Sequence, residues 1–126
     1  MSIKLKYQPV LDLGQELEVK DGYVEESEII LKIGGTAKTQ YEKNLMWDKI
    51  KEIGGENPTD IEADIKVEDT SVYHRHVVKS GETLGKIAKH YYKDAMKYKE
   101  IFAANTDKLK SADLIYPDHE LVIPNL

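Results

Sequence analysis

Four histidines, His74, His76, His90 and His119, are the side chains of this chain best suited to proton transfer or metal ligation. His74 and His76 stand two apart, which puts both imidazoles on one face of an extended segment. A metal pair needs further ligands, and the chain has no cysteine and no spacing that supplies a third. Packing on a strand face is the simpler account of the two rings. His90, followed by Tyr91-Tyr92, falls at the expected end of a helix, where an imidazolium suits the negative pole of the dipole. No Ser–His–Asp order and no paired carboxylates occur in a catalytic context. The glycine pairs Gly34-Gly35 and Gly54-Gly55 are isolated and do not make a phosphate-binding loop. The chemistry on offer is binding, not catalysis.

The elements that position these groups must fit into 126 residues, enough for one ordinary domain or two very small ones. Hydrophobic residues make up 40% and charged residues 33%, the balance of a folded chain and not of a disordered one. The net charge of −5 is uneven. Residues 1–70 carry nine Lys and no Arg against sixteen Asp and Glu, whereas residues 71–126 carry nine Lys and Arg against seven acids. An acidic first half repels nucleic acid and anionic membrane and favours a cation. Neither a nucleic-acid nor a membrane partner is expected, and the chain is expected to be a monomer. The absence of cysteine rules out disulfides and thiolate chemistry. The opening Met-Ser-Ile-Lys-Leu-Lys-Tyr-Gln has no apolar core and no cleavage site, so a chain complete at both ends is expected in the cytoplasm.

In the second half, His76-Val77-Val78 predicts a strand. Ser80-Gly81-Glu82-Thr83 turns into a helix with Leu84, Ile87, Ala88 and Tyr91 on one face. Asp94 caps a second helix carrying Met96, Tyr98, Ile101, Phe102 and Ala103, which stops near Asn105. Leu121-Val122-Ile123 returns as a strand against the first. The segments Gly81-Glu-Thr-Leu84, Asn105 after an apolar helix, and Ile115-Tyr-Pro117 before the last strand resemble a LysM domain. That family implies a βααβ fold and a groove for N-acetylglucosamine polymers, such as chitin or peptidoglycan, between two loops. The matching positions are Ser80, Gly81, Glu82, Thr83 and Leu84 on one side and Leu114, Ile115, Tyr116 and Pro117 on the other. At the turn after Tyr116 the chain has Pro117-Asp118 where glycine commonly follows proline; a type II turn would force Asp118 to positive φ.

In the first half, residues 6–17 predict a helix with Pro9 in its first turn, and Asp21-Gly22 predicts a turn. Tyr23-Val24 and residues 28–33 read as strands, the second ended by Gly34-Gly35. Thr39 and Glu42 have the capping-box spacing, and Tyr41, Leu45, Met46, Ile50 and Ile53 recur at helical period until Gly54-Gly55. Trp47 lies beside this stripe. Residues 61–67 alternate apolar and polar as a half-buried strand does. The resulting αββαβ order resembles the BON domain over about residues 5–68. The expected class is α+β, with a BON-like αββαβ domain in residues 1–70 and a LysM βααβ domain in residues 71–126. The polar link from Glu68 to Tyr73 is not of the flexible Gly/Ser kind.

The two halves together resemble the cytoplasmic potassium-binding protein family, most closely through residues 98–109 and Asp113-Leu-Ile-Tyr-Pro117. That resemblance implies K⁺ binding with a conformational response, and a LysM domain in a stabilising role. K⁺ is large and suits rings of neutral carbonyl oxygens. A helix C-terminus leaves carbonyls unpaired at the negative end of its dipole, and glycine lets a loop turn them inward. The end of the 41–53 helix, with Glu52, Ile53, Gly54 and Gly55, is the expected K⁺ site; a plain glycine stop is the other account of the same residues.

Overall fold

The computed structural model describes residues 2–126, which form two compact units, one ending at Thr70 and one running from Ser71 to Leu126. The class is α+β, with helices and sheets in both units.

The first unit begins with a broken helix. Pro9 cannot supply an N–H to a preceding turn, so α1 (Ile3–Lys6) stops at Tyr7 and α2 (Gln8–Glu16) restarts with Pro9 in its first turn. The hairpin of β1 (Lys20–Glu26) and β2 (Leu31–Thr39) follows, then α3 (Gln40–Gly54) and β3 (Ile61–Asp69). The sheet order is β1-β2-β3, with β1 antiparallel and β3 parallel to β2. A parallel pair needs a crossover, and α3 supplies it. Thr39 caps α3 by accepting the Glu42 N–H at 3.3 Å. One sheet face is buried: Leu31, Ile33 and Ala37 of β2 and Ile61 and Ile65 of β3 pack with Val10, Met46 and Ile50 from the helices. Trp47 covers the edge of this core, as its place beside the stripe predicts.

Three expectations fail here. Asp21-Gly22 is not a turn between elements; both residues lie inside β1, where its register shifts between Lys20 and Tyr23. Gly34-Gly35 does not end a strand; both glycines lie inside β2, which runs on to Thr39. A Cβ at Gly34 would enter the Tyr23 ring, and one at Gly35 would enter the Val19 side chain. The glycines admit β1, which is bulged between Lys20 and Tyr23, and they do not stop β2. The strand expected from residue 28 starts at Leu31, because Ser27 bonds Ile30 on both sides of the hairpin turn.

The second unit runs β4 (His74–Val77), α4 (Leu84–Tyr92), one 3-10 turn (Ala95–Lys97), α5 (Tyr98–Ala104) and β5 (Glu120–Ile123). Thr83 caps α4 and Asp94 caps the 3-10 turn. Leu84, Ile87, Ala88 and Tyr91 are all buried, which is the stripe the helical period marks out. β4 pairs antiparallel with β5, from His74 against Ile123 to Val77 against Glu120. The first strand therefore lies two residues earlier at its start than the apolar run suggests, because His74 and His76 supply its half-buried face.

Candidate functional site

The turn at the end of α3 holds Glu52, Ile53, Gly54 and Gly55. Gly55 has φ 88°, and its N–H closes the helix on the Lys51 carbonyl at 2.9 Å. The two glycines serve different ends. Gly55 faces open space and supplies a positive φ with an extended ψ of 177°, a region kept almost wholly by glycine, whereas a Cβ on Gly54 would overlap the Tyr7 hydroxyl and crowd Pro58. Tyr7 is fully buried, and its hydroxyl donates to Asp60 Oδ1 at 2.5 Å, while Lys6 Nζ holds Oδ2 at 2.6 Å. The hydrogen bonds from Lys6 and then Tyr7 hold the Asp60 carboxyl below its ordinary range. Burial, reinforced by Asp60, pushes the Tyr7 phenol up to about 12. The Glu52 carboxylate pairs with Lys49 at 3.0 Å, and Ile53 packs on the core. What this turn can offer a cation is main-chain oxygen. Nothing in the sequence linked Tyr7 and Asp60 to it.

In the second unit the two expected groove loops spring from one ladder. Val78 accepts from the Asp118 N–H at 2.8 Å and donates to the His119 carbonyl at 2.9 Å, so the loop leaving β4 and the loop entering β5 start side by side. Asp118 has φ 72° and the His119 N–H reaches the Tyr116 carbonyl at 3.2 Å, the geometry expected for Pro117-Asp118 in a type II turn. Ser80, Gly81, Thr83, Leu114, Tyr116 and Pro117 are exposed, and Ile115 is half-buried. Two of the expected residues face away from a ligand. Leu84 is buried in the core, and Glu82 turns its carboxylate inward. Glu82 Oε1 accepts from the Lys79 N–H at 2.6 Å and meets His76 Nε2 at 2.9 Å. Although burial opposes it, hydrogen bonding from His76 and Lys79 holds the Glu82 carboxyl below its ordinary range.

His76 completes this chain through Nδ1, 2.7 Å from the Tyr91 hydroxyl. The rings of His74 and His90 also lie against Tyr91, with centroids 5.6 and 4.8 Å away. The same-face placement of His74 and His76 is thus used for packing around one tyrosine. Burial, and then the neighbouring His76 and His90, lower His74 to about 4. A histidine kept neutral in the fold and free to charge when unfolded stabilises the fold above its ordinary pKa. That contribution fades as pH falls from about 6.5 toward 4. Allowing for solvent screening of a partly exposed ring, the second unit should lose roughly 1–2 kcal/mol over this window. Amide hydrogen exchange at Val122 would measure it, and His74→Gln should flatten the dependence; an unchanged slope in that variant would assign the effect to another group.

Asn105, expected only to mark a helix end, is 1% exposed. Its Nδ2 donates to the carbonyls of Ile101 at 2.7 Å and Val122 at 2.8 Å, and its Oδ1 accepts the Val122 N–H at 2.8 Å. It ties α5 to β5 behind the loops.

Residues 76–124 match the LysM domain. A potassium binding protein, Kbp, of Escherichia coli O6:H1 is 51% identical over 49 residues, 39% of this chain and 33% of that protein. An uncharacterized protein of Deinococcus radiodurans is 48% identical over 61 residues, 47% of this chain and 22% of that protein. The matches therefore span a third or less of these curated relatives.

Proposed function

Starting from a LysM domain at residues 76–124, we propose that the chain is a cytoplasmic K⁺-binding protein, without a catalytic step, whose first unit is a BON-like domain holding the ion. The observation that carries this reading is the end of α3, where Gly55 turns the chain at φ 88° beyond a helix whose last carbonyls lack N–H partners along the helix. Among the described residues no three His, Asp or Glu side chains gather as a metal set, and the Glu52 and Asp60 carboxylates are engaged by Lys49 and Lys6. Main-chain oxygens of Glu52, Ile53, Gly54 and Gly55 are then the ligands, as a weakly hydrated monovalent cation prefers. The partial identity to a protein named for potassium binding supports the same ion. Cytoplasmic placement rests on the family resemblance.

Ligand binding to the folded state raises its stability by mass action, about 2.7 kcal/mol at a hundred times Kd. The first unit should therefore melt later in KCl than in NaCl at equal ionic strength, where screening by the two salts is the same. Trp47, the single tryptophan, reports on that unit by fluorescence. Carbonyl ligands need no deprotonation, so the difference should persist from mildly acidic to neutral pH. Coincident melting curves in the two salts would end the K⁺ reading.

A second reading is glycan binding by the LysM groove, favoured by the exposure of Leu114 and Tyr116 at 46% and 54%. Chitin oligomers should then shift the amides of Gly81 and Ile115, and Tyr116→Ala should weaken the binding. Titration with long oligomers that leaves these amides unmoved would reduce the domain to a stabilising role.

A further inference from the structure

The first unit has an unfilled place beside its hairpin. Strand β1 is at the sheet edge, and all seven of its residues are exposed, Tyr23 and Val24 included. Between β1 and α2 lies a cleft of about 600 Å³, walled by Leu11, Gly14 and Gln15 of α2 and by Val24, with Ile33 and Met46 at its floor. Val24 is in register with Ile33, a core residue, so its side chain is on the covered face of the sheet. Helix α2 does not close over it. An edge strand flanked by a helix and by a cleft with an apolar floor and polar residues such as Gln8 and Glu18 in its walls is the geometry in which an extended peptide adds as a further strand. The strand supplies hydrogen bonds, and the cleft takes alternate side chains.

The charges select the partner. β1 carries Asp21, Glu25 and Glu26 against Lys20, whose ammonium is taken by Glu68 at 2.8 Å. Glu26 also accepts the Lys4 N–H at 2.9 Å, which leaves Glu25 as the carboxylate of β1 beside Tyr23. A strand laid along β1 would place one set of side chains beside Val24 and the cleft, and the other set beside Tyr23 and Glu25 on the opposite face. A second copy of β1 would set acidic side chains against acidic ones, which cross-strand pairing disfavours. We propose that the β1–α2 cleft binds an extended segment of a partner protein in which apolar residues alternate with Lys or Arg, the apolar ones entering the cleft and the basic ones meeting Glu25.

The full chain can be titrated with octapeptides that alternate Lys with Val, Leu, Met or Phe, and followed by amide shifts. At least one should move Tyr23, Val24 and Glu25 together with the α2 amides, and weaken as salt rises. The variant Val24→Glu, at a position already 42% exposed and so tolerant of substitution, should weaken that peptide at least tenfold. N-methylation of the peptide's alternate amides should do the same by removing strand hydrogen bonds. The proposal is overturned if no peptide in the set binds, if shifts fall outside β1 and α2, if the N-methylated peptide binds equally well, or if the chain instead dimerises through β1.

Discussion

Gly54→Ala is expected to destabilise the first unit by about 2–4 kcal/mol, an overpacking cost joined to the disturbance of a buried hydrogen bond. The added methyl would occupy the space of the Tyr7 hydroxyl and press on Pro58. Tyr7 cannot retreat cheaply, because it is fully buried and bound to Asp60, which is itself tied to Leu31 through its carbonyl at 2.9 Å. The neighbouring Gly55→Ala meets no atom, but φ 88° with ψ 177° is a backbone region kept almost wholly by glycine, so it should lose about 1–3 kcal/mol through backbone strain alone. Urea unfolding followed through Trp47 measures both. In a Tyr7→Phe background the Gly54→Ala loss should shrink, since the atom it strikes has gone. An undiminished Gly54→Ala loss in that background would show that the approach of the Tyr7 hydroxyl does not matter. The pair also bears on ion binding: a Gly54 variant acts through side-chain packing, whereas Gly55→Ala acts through the backbone that sets the direction of the carbonyls.

Asn105→Ala should cost about 3–4 kcal/mol in the second unit, because removing a buried amide leaves its partners without replacements. Val122 would lose partners on both its N–H and its carbonyl, and the Ile101 carbonyl would lose a third bond. Asn105→Asp retains the acceptor for the Val122 N–H but gives up both donations and buries a charge, so it should be no better. Thermal melting of the variants by circular dichroism tests this, and a loss under about 1 kcal/mol would mean that water replaces the side chain.

Periodicity carried most of the fold. The alternation of residues 61–67 reappears as the burial pattern of β3, and the four apolar positions of α4 are the four that are buried. The Pro117-Asp118 turn was legible because proline and the residue after it constrain a local geometry. Gly34-Gly35 misled because a glycine pair looks the same whether a strand stops there or a neighbour presses in. Only the packing of Tyr23 and Val19 decides between them. The same limit applies at the candidate sites. The fit of Tyr7 to Gly54 and the two hydrogen bonds between Asn105 and Val122 join residues distant in sequence, the inward turn of Glu82 depends on a strand neighbour, and no local pattern encodes any of them.

In the second unit the first strand and the last are partners, and the Tyr73 N–H bonds the Ile123 carbonyl at 2.8 Å just outside their ladder. Entry and exit of that module are therefore neighbours. Such a unit can be spliced into a surface loop of an unrelated host without prying the host apart, since the gap it must bridge is about the width of one strand pair. It can equally be re-cut, its old ends joined by a short linker and new ones opened in the exposed segment between α5 and β5, with the same sheet at its centre.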